Sequence, residues 1–431
     1  MNLKYFQKKY EILFIRFKLI ILILCLPLLS CSNNEILEGE RQDLYQQEMD
    51  KYLVNDGQNI KLSSQKTITS IQQVDNGPTH LFENSKFDSS LSKLWGITLK
   101  NRGNISAPVF SHNNIYILDG RANLYSFNLD GTKDWVISLS PLEEKKQNTH
   151  HSGGIAIDKN NLYVATGFGE IFSIDLAGTI KWKKRFDSPF RGAPIYTNNK
   201  IFIVNSNDLA IAINKKGETI WTLEGATRPT LLTKGVSPAL KNNKLILPFS
   251  SGQLAAVRPN NGSEIWKTSF DQGNKGESYS VIGDFGGSPV IKSNVVFALS
   301  SSGQLLALNL INGNKIWSLP VGSNSTPLIN GGSIFVVSTK GKLVRINEKN
   351  GEVIWSRNIS KPNTSNKFFG PTLAGNFLWI AGTDGYLRKF NPFTGKQILQ
   401  YRFGNGALYR PFAVHNRLFI VTNSGKIIAF N

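Results

Sequence analysis

Cysteine is nearly absent from the 431 residues, with only Cys25 and Cys31, both close to the N-terminus. The remainder of the chain therefore carries neither a disulfide framework nor a thiolate metal site. Acidic residues are sparse as well, 30 against 49 Lys and Arg. Few carboxylates are thus available to converge on a hard cation. His150 and His151 are adjacent, and neighbours on a strand point to opposite faces, so they do not read as a shared metal site. No Gly-x-Ser-x-Gly elbow occurs, and the Gly-rich turns lack the strand-to-helix setting of a phosphate loop. The excess of Lys is scattered in turns rather than interleaved with aromatics, which reads as solvated surface and not as a nucleic-acid face. Long helix-period stretches are missing too. These absences point to a protein with no catalytic residues, no metal and no cofactor.

What is present begins with a leader. Lys4, Lys8, Lys9, Arg16 and Lys18 precede an apolar run over 19–29, too short to span a bilayer as a helix. The run ends in Leu28-Leu29-Ser30-Cys31, which resembles the lipobox of bacterial lipoproteins. That resemblance implies a signal peptide over 1–30, removal of Cys25 with it, and acylation of Cys31 as a membrane anchor. Ser32, in place of the Asp that retains such proteins in the inner membrane, implies the outer membrane. Residues 31–90 are polar, rich in Ser, Thr, Gln and Asn, and carry no repeat. They read as a partly disordered tether.

From 91 to 431 one motif recurs: Gly, an aliphatic two residues on, then Asn or Asp, Gly and Trp. Its copies run Gly120 to Trp135, Gly169 to Trp182, Asp208 to Trp221, Gly252 to Trp266, Gly303 to Trp317, Gly341 to Trp355 and Gly385 to Leu399, with an eighth begun at Gly425. Each follows a small residue and Pro, such as Ala107-Pro108 or Ser288-Pro289, with Gly153-Gly154 once in that place. From that landmark to the Trp position the spacing is 27 or 28, whereas from Trp to the next landmark it varies from 10 to 23. Rigid four-stranded units with all length variation in one connection describe a radial array whose insertions fall on one face. The truncated eighth copy lacks its Trp strand, and Lys93-Leu94-Trp95 supplies one with nothing before it. The expected fold is therefore all-β: an eight-bladed β-propeller of four-stranded blades, its last blade closed by the N-terminal strand so that no sheet edge is left open. Seven of the eight Trp hold one repeated place, which argues for packing between blades. Trp379 is the exception.

The Ala-x-Asn-x-x-x-Gly-x-x-x-Trp pattern, cleanest from Ala307 through Gly313 to Trp317, resembles the tryptophan-docking motif of quinoprotein-type (PQQ-like) propellers. Fold alone does not give function. Quinoprotein dehydrogenases in this group hold PQQ and Ca²⁺ in the axial funnel, beside a vicinal disulfide that this chain lacks the cysteines to form. With its lipobox, short tether and bare ring, the chain is more similar to the BamB family of the outer-membrane β-barrel assembly machinery. That resemblance implies a non-enzymatic scaffold at the periplasmic face of the outer membrane, partnered by a BamA-like barrel subunit through its POTRA domains and by outer-membrane protein clients. It also implies a contact surface at Leu231, Leu232 and Lys234, ahead of Pro238, and at Asp284, ahead of Pro289. Gly286 stands where a second acid is expected, and Lys234 replaces an Arg only as a point charge. The alternatives are a PQQ-dependent enzyme like the quinoprotein dehydrogenases and a cell-envelope interaction propeller of another kind. The connections after Trp221 and Trp266, which carry these residues, are two of the four long ones, and they emerge on one face.

Overall fold

In the innermost three strands of each repeat the apolar residues run almost continuously, as in the buried Ile115-Tyr116-Ile117-Leu118, and most are buried. The fourth strand is more exposed, and in several repeats it alternates between exposed and half-buried positions, as in Lys133–Ser138 and Ile180–Arg185. This is the pattern of sheets stacked face to face around an axis, with both faces covered near the centre and the outermost strand at the rim. A computed structural model of the chain describes residues 60–88, 91–100, 104–142, 153–226, 235–270, 284–359 and 364–431, and contains no helix among them. It shows eight four-stranded antiparallel sheets. Blades 1 to 7 span 109–138, 154–185, 195–224, 239–269, 290–319, 328–358 and 368–402. Blade 8 combines Phe412–Val414, Arg417–Val421 and Lys426–Phe430 with the N-terminal strand Lys93–Thr98, which pairs Trp95 with Ala429 and Ile97 with Ile427.

The core is divided among the interfaces between blades. Blades 5 and 6 bury Phe297, Leu305, Ile334 and Val344 against one another. Blades 8 and 1 do the same with Phe419, Ile427, Phe110 and Ile115, so the ring is closed by a cluster of the same kind. Each buried aliphatic or aromatic side chain contributes about 1.5–3 kcal/mol.

The Trp motif locks these interfaces. The indole N–H of Trp95 donates to Leu129 O at 3.1 Å, that of Trp135 to Leu176 O at 3.0 Å, and that of Trp266 to Leu310 O at 3.0 Å. Trp182, Trp221 and Trp317 do likewise. Every acceptor is the turn before the outermost strand of the following blade. The motif's Gly sits in that turn, directly under the ring. A Cβ on Gly313, at φ +75°, would meet Trp266 Cδ2 at 2.7 Å. Leu399 breaks the series for a visible reason. In blade 8 the matching turn is replaced by two separate segments, with Asn431 and Ser92 exchanging backbone hydrogen bonds at 3.1 and 3.3 Å. There is no turn on which a Trp could dock. In blade 1 the left-handed turn position is held by Ala122, at φ 55°, rather than by Gly120.

The segment that composition assigns to a tether is, from Ile60 onward, packed on the propeller. Residues 60–88 form a strap that hydrogen-bonds to every blade. Ile71 exchanges backbone bonds with Phe110 of blade 1, and Gln72 O accepts from Ile157 of blade 2. The Gln73 side chain accepts from Tyr196 N of blade 3. Pro78 O and Thr79 O accept from Leu240 and Ile291 of blades 4 and 5. Ser63 N donates to Asn330 of blade 6 at 2.9 Å. Ser85 bonds Leu373 and Gly375 of blade 7, and Ile68 O accepts from His415 of blade 8. These partners lie at the far ends of the innermost strands, so the strap closes one end of the axial channel. The connections of variable length emerge at the other.

Candidate functional site

On the open face, the entries to blades 3, 4 and 5 lie against one another. Gly192 and Gly235 touch backbone to backbone: a Cβ on Gly235 would lie 2.3 Å from Gly192 N. Beside them runs a crevice of about 50 Å³ lined by Arg191, Asn205, Asp208, Phe249, Ser250, Asp284 and Phe285. Phe285 anchors its segment, buried against Phe270 with ring centroids 5.0 Å apart. Asp284 O accepts from Ser301 N at 2.9 Å. That leaves the half-buried Asp284 carboxyl group at the crevice. Burial pushes it up to about 6, against the opposing pull of the Phe285 N–H and of Arg191, while the neighbouring charge of Asp208 adds to the rise.

Asp208 is the residue that sequence reasoning passed over. It sits at φ 59° in the turn position held by Gly169 in blade 2 and Gly252 in blade 4, a conformation Asp tolerates better than most residues. Its carboxylate accepts from Ser250 N at 2.8 Å and from the Ser250 hydroxyl, linking blades 3 and 4. Burial raises its pKa too. The signal was available, because Asp208 is the single acid at that motif position. The second acid expected at Gly286 is excluded by geometry: a Cβ there would fall 1.5 Å from Ser323 O. The two carboxylates of this site come instead from different blades. Leu231, Leu232 and Lys234 lie outside the described residues, as do His150, His151 and everything before Ile60, including Cys31.

A larger cavity, about 360 Å³, opens on the same face along the axis. Its walls are the landmark segments of the blades, including Ala107, Gly154, Ala193, Ser288, Thr326 and Phe412, and its floor is Val74 and Asp75 of the strap. This is the place where a quinone and Ca²⁺ would have to sit. Ca²⁺ takes six to eight oxygen ligands, commonly several carboxylates. The lining offers one, Asp75, already accepting from Thr326 Oγ1 at 2.6 Å and facing Arg410 at 3.9 Å. Among the described residues no group of three or more His, Cys, Asp or Glu is placed to hold a metal. The donor set does not fit that cofactor pair.

A family model described as outer membrane protein assembly factor BamB matches residues 140–357, half of the chain. The chain belongs to the BamB family. The BamB of Yersinia pestis is 25% identical over 241 residues, 55% of this chain and 60% of that protein. The BamB of Vibrio cholerae is 28% identical over 247 residues, 54% of this chain and 61% of the other. This BamB-family chain thus spans about three fifths of those relatives. The crystal structure of BamB from Moraxella catarrhalis matches 79% of this chain and 99% of its own, with a TM-score of 0.68 at 18% identity. A quinohemoprotein alcohol dehydrogenase from Comamonas testosteroni reaches 0.66 at 14% identity, covering 90% of this chain and 84% of that one. Both likenesses show the propeller fold alone, and the fold does not separate a scaffold from an enzyme.

Proposed function

We propose that this BamB-family protein is a non-enzymatic, lipid-anchored scaffold of the outer-membrane β-barrel assembly machinery. It acts at the periplasmic face of the outer membrane, docks on a BamA-like subunit through the POTRA domains, and assists insertion of outer-membrane proteins. The observation that carries this reading is the Asp208–Asp284 crevice, with Arg191 beside it, on the face of variable connections. It lies at the Asp284 segment where the family resemblance puts the partner contact. A carboxylate held at the rim of a packed aromatic suits a cationic group on a partner, and truncating one member of a desolvated charge pair costs 2–5 kcal/mol. Cys31 supplies the anchor. The axial lining, with its one committed carboxylate, favours binding over cofactor chemistry.

The test is co-purification of the intact protein with a POTRA fragment of the cognate BamA-like subunit. Leu232→Ala combined with Asp284→Ala should abolish capture while the far-ultraviolet circular dichroism of the propeller is unchanged. Undiminished capture by the double variant would overturn the site.

A further inference from the structure

The axial cavity adjoins the docking crevice, with Arg191 and Phe285 lining both, but its interior is not used by the docking reading. The strap makes it blind: its floor is Val74 and Asp75, and bonds to all eight blades hold that floor in place. Its charge is one-sided. Arg191, Lys367 and Arg410 line it against the single carboxylate of Asp75, which is committed to Arg410 and Thr326. Lys367 is exposed at the mouth and has no ion-pair partner among the described residues. Its wall is largely apolar, with Phe285, Phe369, Tyr409 and Phe412 around the bore. Asn324 and Asn423 are exposed there too, and their side-chain amides make no hydrogen bond among the described residues. At about 360 Å³ the space falls within the usual range for small-ligand sites, roughly 300–1,000 Å³.

We propose that this cavity receives a short peptide segment carrying an aromatic side chain next to a carboxylate. The ring enters the apolar bore. The carboxylate meets Lys367 at the mouth, where a charge-assisted bond is stronger than a neutral one. The two Asn amides pair with the segment's backbone, which a simple carboxylic acid lacks. This inference rests on reading the protein as one that handles other polypeptides, but it does not depend on the Asp284 surface.

The probes are two blocked tripeptides, acetyl-Phe-Glu-Phe-amide and acetyl-Phe-Gln-Phe-amide, titrated calorimetrically into the intact protein. The Glu peptide is expected to bind at least 10-fold more tightly, and Lys367→Glu is expected to erase that preference. Lys367 is not among the residues lining the crevice, so the same variant should still capture the POTRA fragment. Capture without peptide selectivity sinks the cavity proposal alone. Peptide selectivity without capture sinks the docking reading and leaves the cavity standing. Absence of saturable binding up to millimolar peptide, equal binding of both peptides, or an unchanged preference in Lys367→Glu each overturns the inference.

Discussion

At Asp284 the fold and the proposed docking pull one side chain in opposite directions. Its carboxyl group is pushed up to about 6 by burial, above the ordinary 3.8, so the folded state favours the protonated form. Stability from this group is fully present below pH 3.8 and is lost as pH rises through about 6. Docking on a cationic partner has the opposite sign, since it requires the charged form. Asp284→Asn should therefore raise the stability of the protein at pH 7.5, by something on the order of 1 kcal/mol once partial solvent screening is allowed for, while weakening POTRA binding. Binding by the unmodified protein should fall as pH drops from 7.5 to 5, and in Asp284→Asn the profile should be flat. Calorimetric titrations across that range decide it, and a parallel decline in both proteins would remove Asp284 from the contact. Its position ahead of Pro289 was legible in the sequence. Its partnership with Asp208 was not, because 76 residues of chain separate them and only the stacking of blades 3 to 5 brings both to one crevice.

The element that repeats is a Trp on one blade and a Gly turn on the next, and the repeat contains its own control. Trp266 donates to Leu310 O at 3.0 Å, whereas the buried indole nitrogen of Trp355 finds no acceptor among the described residues. Both rings are covered by a turn glycine, Gly313 and Gly395. Trp→Phe at either site removes similar apolar contact, but at 266 it also strands a carbonyl, and at 355 it removes an unsatisfied donor. Trp266→Phe should consequently cost about 1–2 kcal/mol more than Trp355→Phe, measured by urea unfolding. Equal losses would mean that the indole hydrogen bond contributes little to holding the blades together. The Gly–Trp spacing was visible in the sequence because it is local, and its meaning became visible only between blades. The Leu399 exception likewise follows from blade 8 drawing its last two strands, Lys426–Phe430 and Lys93–Thr98, from separate stretches of chain.

For the whole molecule the strap matters most. Arg410 is buried on the axis, donating to Thr326 O and Pro371 O, with its guanidinium 4.0 Å from the centre of the Phe82 ring. Burial lowers its pKa to about 10, and Asp75 opposes the shift. Removing Asp75 alone leaves that cation without its counter-charge, so Asp75→Ala should destabilise the protein by about 3–5 kcal/mol. Asp75→Ala combined with Arg410→Met should recover much of the loss. Thermal unfolding of the two single variants and the double variant closes the cycle, and additive losses would show that the pair is not coupled. Ile60, where the strap begins, packs on Gly331 at the strap end of the ring.

The amino-acid sequence by itself determined the all-β class, the eight blades and the closure by Lys93–Thr98, because these depend on a fixed local period and on strand pairing that rises directly from it. It also marked one face as the variable one. Only the tertiary structure decided that residues 60–88 are a strap. Its contacts are isolated bridges and single hydrogen bonds to eight strands far apart in sequence, so no periodicity records them and a polar composition reads as a tether. The same reason hid the blind cavity and the Asp208–Asp284 pair. Each is assembled by neighbours around a ring, and a ring juxtaposes residues that no window of sequence contains.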